Sequence, residues 1–121
     1  MKRTDFAGAL YRYFRDYLVN DRGCSARTIE TYRYAFIQFI DYMENHLNIR
    51  PEKIELTHIN VQNLQSFLLW LEREKKVSTS TRNQRLAAFK SFSSFLKYDL
   101  PECLDNVIQI LSLIHISEPT R

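Results

Sequence analysis

Glycine and proline are scarce in this chain, with two glycines and three prolines in 121 residues. So few turn formers cannot supply the many tight turns of a sandwich or barrel, and the chain is expected to fold as a few long helices. With Gly8 and Gly23 alone, a glycine-rich phosphate loop is excluded. Cys24 and Cys103 stand far apart, without CxxC spacing or a neighbouring histidine, which argues against a disulfide framework, a redox pair or a zinc site. His46, His58 and His115 are equally scattered, so no metal is expected. No apolar run approaches the roughly 18 residues that a membrane span requires. At the N-terminus, Arg12, Arg15 and Asp16 interrupt any signal-peptide apolar region, and a cytoplasmic location is expected. No GxSxG elbow, no HExxH helix and no nucleophile beside an activating base is present. The chain is therefore not expected to be an enzyme by itself, nor to use a cofactor or a small-molecule substrate.

What is present is an ordinary globular composition, 45% apolar and 26% charged. A chain of this length buries one core without staples. Phe6, Leu10, Tyr13, Phe14, Tyr17 and Leu18 recur at three- and four-residue steps, predicting a helix over about 5–21. Thr4 or Asp5 can cap its start, and Gly23 suits the left-handed position past its end. Ser25 is the expected N-cap of a second helix reaching about 45–47, with Ile29, Tyr32, Phe36, Phe39, Ile40 and Met43 as its apolar stripe. Pro51 stops that helix from continuing, and Ile54, Leu56 and Ile59 are packing points of the connector. Asn60 starts a third helix with core positions Leu64, Phe67, Leu68 and Leu71. Ser78 or Thr79 starts a fourth, with Leu86, Phe89, Phe92, Ser93 and Leu96 inward. Pro101 can open a short final helix containing Leu104, Val107, Ile108 and Leu111. The expected fold is all-α, a small bundle of four main helices plus that short C-terminal helix, over residues 1–111. Residues 112–121 fit no helical or strand pattern and resemble translated sequencing-adapter sequence; they are read as a non-native or disordered tail.

The net charge of +3 identifies no partner by itself, but its distribution is uneven. From Arg22 to Arg33 three arginines face only Glu30, and from Glu72 to Lys90 six cations face only Glu72 and Glu74. From Asp99 to Asp105 there are three carboxylates and no cation. Positive charge thus gathers at two helix starts, Ser25-Ala-Arg-Thr28-Ile-Glu-Thr31 and Ser78-Thr-Ser-Thr81-Arg82-Asn-Gln-Arg85. A helix N-terminus offers unpaired N–H groups and the positive end of the macrodipole, both of which suit a phosphate. Hydroxyls and guanidinium groups beside it can grip a nucleic-acid backbone.

The order Ser25-x-x-Thr28-Ile29-x-x-Tyr32, then Asn60-x-x-x-Leu64-x-x-Phe67-Leu68-x-x-Leu71, then Ser80-Thr81-Arg82-Asn83-x-Arg85-Leu86-x-Ala88-Phe89-Lys90-Ser91-Phe92-x-x-Phe95-Leu96 resembles the N-terminal core-binding, SAM-like domain of tyrosine recombinases, the phage-integrase family. The resemblance spans about residues 6–110. It implies a helical jaw that closes on double-stranded DNA, with other recombinase protomers as possible partners on that DNA. The family's catalytic half carries an Arg, a Lys, a His-x-x-Arg pair and a nucleophilic Tyr. None of this is matched: there is no His-x-x-Arg, and all seven tyrosines, Tyr11 to Tyr98, fall inside the predicted bundle. Matching positions imply DNA contacts from Ser25, Arg27, Thr28 and Thr31 at one helix start. At the other they imply Thr79, Thr81, Arg82, Asn83, Arg85 and Lys90, with Arg82 or Asn83 the candidates for a base edge. The residues leave one alternative of another class open, a helical protein-interaction module without a nucleic-acid role.

Overall fold

The computed structural model describes residues 4–101. Its elements are α1 (Asp5–Arg12), a π-helix (Tyr13–Asp21), α2 (Ala26–Leu47), 3-10 turns at Pro51–Lys53 and Leu56–His58, α3 (Val61–Arg73) and α4 (Thr79–Asp99). Among the described residues there is no strand, as the scarcity of turn formers led us to expect. The expected short helix around 104–111 and the tail 112–121 lie outside the described residues. The chain divides into two compact units, residues 1–58 and 59–121.

In the first unit, Thr4 Oγ1 accepts the Ala7 amide at 3.2 Å and so starts α1. The Asp5 carboxylate beside it accepts the Leu56 amide at 2.8 Å, tying the second 3-10 turn to the first turn of α1. Ile54 and Leu56 are buried there, as the connector reading required. The first helix departs from the expected single α-helix, because from Tyr13 onward it widens to the i→i+5 pattern. Its buried residues, Tyr13 and Leu18, are five apart, a spacing that shares a face only in the wider turn. Tyr13, Phe14 and Phe36 form an edge-on aromatic cluster with centroids 5.0–6.0 Å apart, joining this helix to α2. On α2 the expected Phe36, Phe39 and Met43 are buried, and Ala35 and Tyr42 join them.

In the second unit, Asn60 Oδ1 accepts the Asn63 amide at 2.8 Å and starts α3. Leu64, Phe67, Leu68 and Leu71 are all buried. On α4 the five expected core positions are buried, together with Arg85, Ala88 and Phe95. An edge-on pair, Phe67 and Phe89 with centroids 5.9 Å apart, locks α3 to α4.

Three helices end in the same way, two of them without glycine. Gly23, Asn48 and Lys76 adopt φ of 59°, 58° and 54°. The next amide in each case reaches back six residues: Cys24 to Leu18 at 2.9 Å, Ile49 to Met43 at 3.1 Å and Val77 to Leu71 at 3.2 Å. Glycine and asparagine tolerate this left-handed turn, whereas Lys76 carries a Cβ penalty of roughly 1–2 kcal/mol. Each turn then delivers the chain to the start of the next element, and two of these starts hold the candidate site residues.

Candidate nucleic-acid interface

The two basic helix starts are built alike. At α2, Ser25 Oγ accepts the Thr28 amide at 3.1 Å and donates to Thr28 Oγ1 at 3.1 Å. At α4, Ser78 Oγ accepts the Thr81 amide at 3.1 Å and donates to Thr81 Oγ1 at 3.1 Å. The Ser-x-x-Thr spacing causes this duplication, since a cap side chain reaches the amide three residues on. Each serine hydrogen is directed to its threonine, which leaves the threonine hydroxyl with its own hydrogen to donate. Both caps satisfy one amide of the first turn, and the two amides before it have no acceptor within the helix.

The first start also carries Arg27, which is exposed, and Thr31, which is half-buried. Thr31 Oγ1 donates back to the Arg27 carbonyl at 3.0 Å, so its hydrogen is committed within the helix. Of the four residues expected to contact a partner here, Ser25 and Arg27 are exposed and Thr28 and Thr31 are half-buried, and Ser25 and Thr31 also make the hydrogen bonds that shape the helix start.

The second start separates the expected residues more sharply. Thr79, Asn83 and Lys90 are exposed and Thr81 is half-buried. Asn83, Lys90 and Lys97 are spaced by seven residues along one exposed face of α4. Lys97 was not among the residues expected at this site, and it shares their face. Arg82 is held, with Nε 3.2 Å from Glu72 Oε2 on α3 and Nη1 donating to Asn83 Oδ1 at 3.0 Å. Arg85, which the resemblance implied as a DNA contact, is buried, with 7% of its surface accessible. It falls three residues after Arg82, on the side of α4 that packs inward with Leu86, Ala88 and Phe89.

Arg15, a cation outside both starts, is occupied differently. Its guanidinium makes a two-pronged contact with Asp16 at 2.9 and 2.8 Å, and lies 4.7 Å from the Tyr11 ring centroid. The hydrogen bond from Arg15 holds the Asp16 carboxyl below its ordinary value, and Asp16 in turn raises Arg15. Lys75, in the turn before Ser78, lies 5.2 Å from the Trp70 ring centroid, and Trp70 stacks on Phe67 at 6.1 Å. Trp70 thus covers the edge of its own unit.

An apolar groove of about 530 Å³ in the first unit is lined chiefly by Phe6, Leu10, Phe14 and Ile40, together with Arg15 and Arg33. It brings no set of convergent polar groups together. Among the described residues no group of three or more His, Cys, Asp or Glu side chains could hold a metal ion. No described helix is long and apolar enough to cross a membrane.

Comparison with known proteins adds the following. Residues 12–99 match the family described as phage integrase, N-terminal SAM-like domain. The chain is 29% identical over 112 residues to the Sinorhizobium fredii protein y4rC, whose name assigns it to the integrases/recombinases; the match covers 93% of this chain and 34% of y4rC. It is 33% identical over 84 residues to the tyrosine recombinase XerC of Herpetosiphon aurantiacus, covering 69% of this chain and 26% of the relative. It is 36% identical over 83 residues to the tyrosine recombinase XerC of Roseiflexus, covering 69% and 25%. The chain therefore spans about a third or less of the length of these curated relatives. No solved structure gives a significant match.

Proposed function

The chain belongs to the phage-integrase family through its non-catalytic N-terminal SAM-like domain, and from that premise we propose that it binds duplex DNA as the core-binding part of a site-specific tyrosine recombinase. The observation that carries this reading is the extent of the family match, which takes in both Ser-x-x-Thr helix starts. Relatives named tyrosine recombinase or integrase/recombinase support a role in DNA integration or recombination.

The mechanism is a grip on the phosphate backbone from two helix starts. At α2 the amides ahead of Thr28, the Thr28 hydroxyl and Arg27 receive a phosphate. At α4 the amides ahead of Thr81, the Thr79 and Thr81 hydroxyls, Arg82 and Lys90 receive another. Ser25, Ser78 and Thr31 set the shape of these starts, and Arg85 supports the second from inside. Asn83 and Arg82 are the candidates for a base edge in a groove. Other recombinase protomers are the proposed partners on the same DNA.

The test is a titration of the full chain into a labelled DNA duplex at several salt concentrations. Weak binding with little sequence preference, with a dissociation constant of about 10⁻⁴–10⁻⁶ M near physiological salt, is the expected result. Absence of salt-dependent binding would overturn the reading in favour of a protein-interaction module.

A further inference from the structure

Arg82, a cation of the second helix start, is held by two neighbouring side chains. Its side chain is 18% exposed, against 43% for Glu72. Glu72 lies on α3 and Arg82 on α4, so their 3.2 Å contact bridges the turn between the two helices. Asn83, the next residue along α4, takes a hydrogen from Nη1 at 3.0 Å.

A guanidinium carries five N–H donors in a rigid plane. Nε lies against the Glu72 carboxylate as an ion pair at 3.2 Å, and Asn83 Oδ1 accepts one hydrogen from Nη1. The two hydrogens on Nη2 remain, a pair of donors for phosphate oxygens or for base-edge acceptors such as guanine O6 and N7. A free arginine would have to give up several rotatable bonds to present that pair, whereas this one is already held.

We infer that Glu72 is a positioning residue for DNA binding: its ion pair fixes Arg82 so that the guanidinium is presented ready-oriented to the nucleic acid. The inference rests on the reading that Arg82 contacts DNA. It makes a prediction opposite in sign to simple electrostatics. Removing a carboxylate beside a polyanion should tighten binding if charge alone matters, since one repulsion disappears. Removing a carboxylate that orders an arginine should weaken it. Immobilising a rotamer-rich side chain costs enough that losing the preordering is worth roughly three- to tenfold in affinity.

The experiment uses the full chain and a labelled duplex, with affinity measured across a salt series for Glu72→Ala, Glu72→Gln, Arg82→Ala and the double variant Glu72→Ala/Arg82→Ala. The expected result is that Glu72→Ala binds roughly three- to tenfold more weakly. Glu72→Gln, which keeps the length of the side chain and loses its charge, should also weaken binding, because the contact is an ion pair. In the Arg82→Ala background the Glu72→Ala change should no longer weaken binding. A purely structural role for Glu72 would instead weaken binding in both backgrounds and lower the thermal midpoint, which overturns the inference. If Arg82→Ala weakens binding but Glu72→Ala leaves it equal or tighter, the positioning role is wrong while the DNA reading stands. If Arg82→Ala itself changes neither affinity nor salt dependence, the reading beneath the inference fails with it.

Discussion

The Asp5 carboxylate accepts the amide hydrogen of Leu56 at 2.8 Å across 51 residues of sequence. This one contact joins the first turn of α1 to the connector that leaves α2, and it stands beside the buried Leu56 side chain. Asp5 also sits where a negative charge favours the α1 dipole. Asp5→Ala should therefore cost about 1–2 kcal/mol in a denaturant titration. Asp5→Asn, which keeps an acceptor, should cost less. Equal and negligible effects would show that the connector is held by its apolar side chains alone.

The duplicated caps give a second prediction. Ser25→Ala and Ser78→Ala should each destabilise the chain by about 1 kcal/mol, and glycine at either position by only a few tenths. Circular dichroism during thermal unfolding checks this. If alanine proves as stable as serine at both positions, the hydroxyl pairs do not hold the helix starts.

Ser93 provides a third. Its Oγ is fully buried without a hydrogen-bond partner among the described residues. A hydroxyl in that state carries a desolvation cost of about 1–3 kcal/mol. Ser93→Ala should thus leave stability unchanged or raise it. Phe89→Ala, by contrast, opens a cavity beside Phe67 and should cost about 3–5 kcal/mol. A strongly destabilised Ser93→Ala would mean that this hydroxyl is satisfied in solution.

The two arginines of the second helix start should separate by readout. Arg85 is buried, so Arg85→Ala should lower stability by about 1–3 kcal/mol through lost packing. Arg82→Ala should leave the thermal midpoint nearly unchanged and act on DNA affinity. Reversed behaviour would mean that the assignments of the two residues are exchanged.

Much of this architecture is legible in the sequence because its signals are local. Thr4, Ser25, Asn60 and Ser78 are cap residue types placed just before apolar periodicity, and each forms the cap. Leu64, Phe67, Leu68 and Leu71 keep one helical period, and all four are buried. The widening at Tyr13 was not legible, because Phe6, Leu10, Tyr13, Phe14 and Tyr17 also fit an α-helical period. Lys76 gave no sign of its left-handed turn, since nothing in its chemistry favours one. At the candidate site, the helix starts were readable but the state of each side chain was not. Arg82 and Arg85 look equivalent in sequence, yet Glu72, ten residues before Arg82, holds one while the core takes the other. Pairing between two helices is a tertiary fact that local spacing does not encode.

The most direct test of the central claim is the slope of log affinity against log salt for duplex DNA, measured on the full chain and two double variants. If about four phosphates are neutralised, the slope should lie near −3.6, at roughly 0.9 per phosphate. Arg27→Ala/Arg82→Ala, which removes one cation from each helix start, should flatten it by about 1.8 and weaken binding. Arg12→Ala/Arg15→Ala removes equal charge from the first helix, outside both helix starts, and should leave the slope nearly unchanged. Equal flattening by both pairs would contradict the account, because it would mean diffuse attraction to a basic protein rather than a grip from the two helix starts.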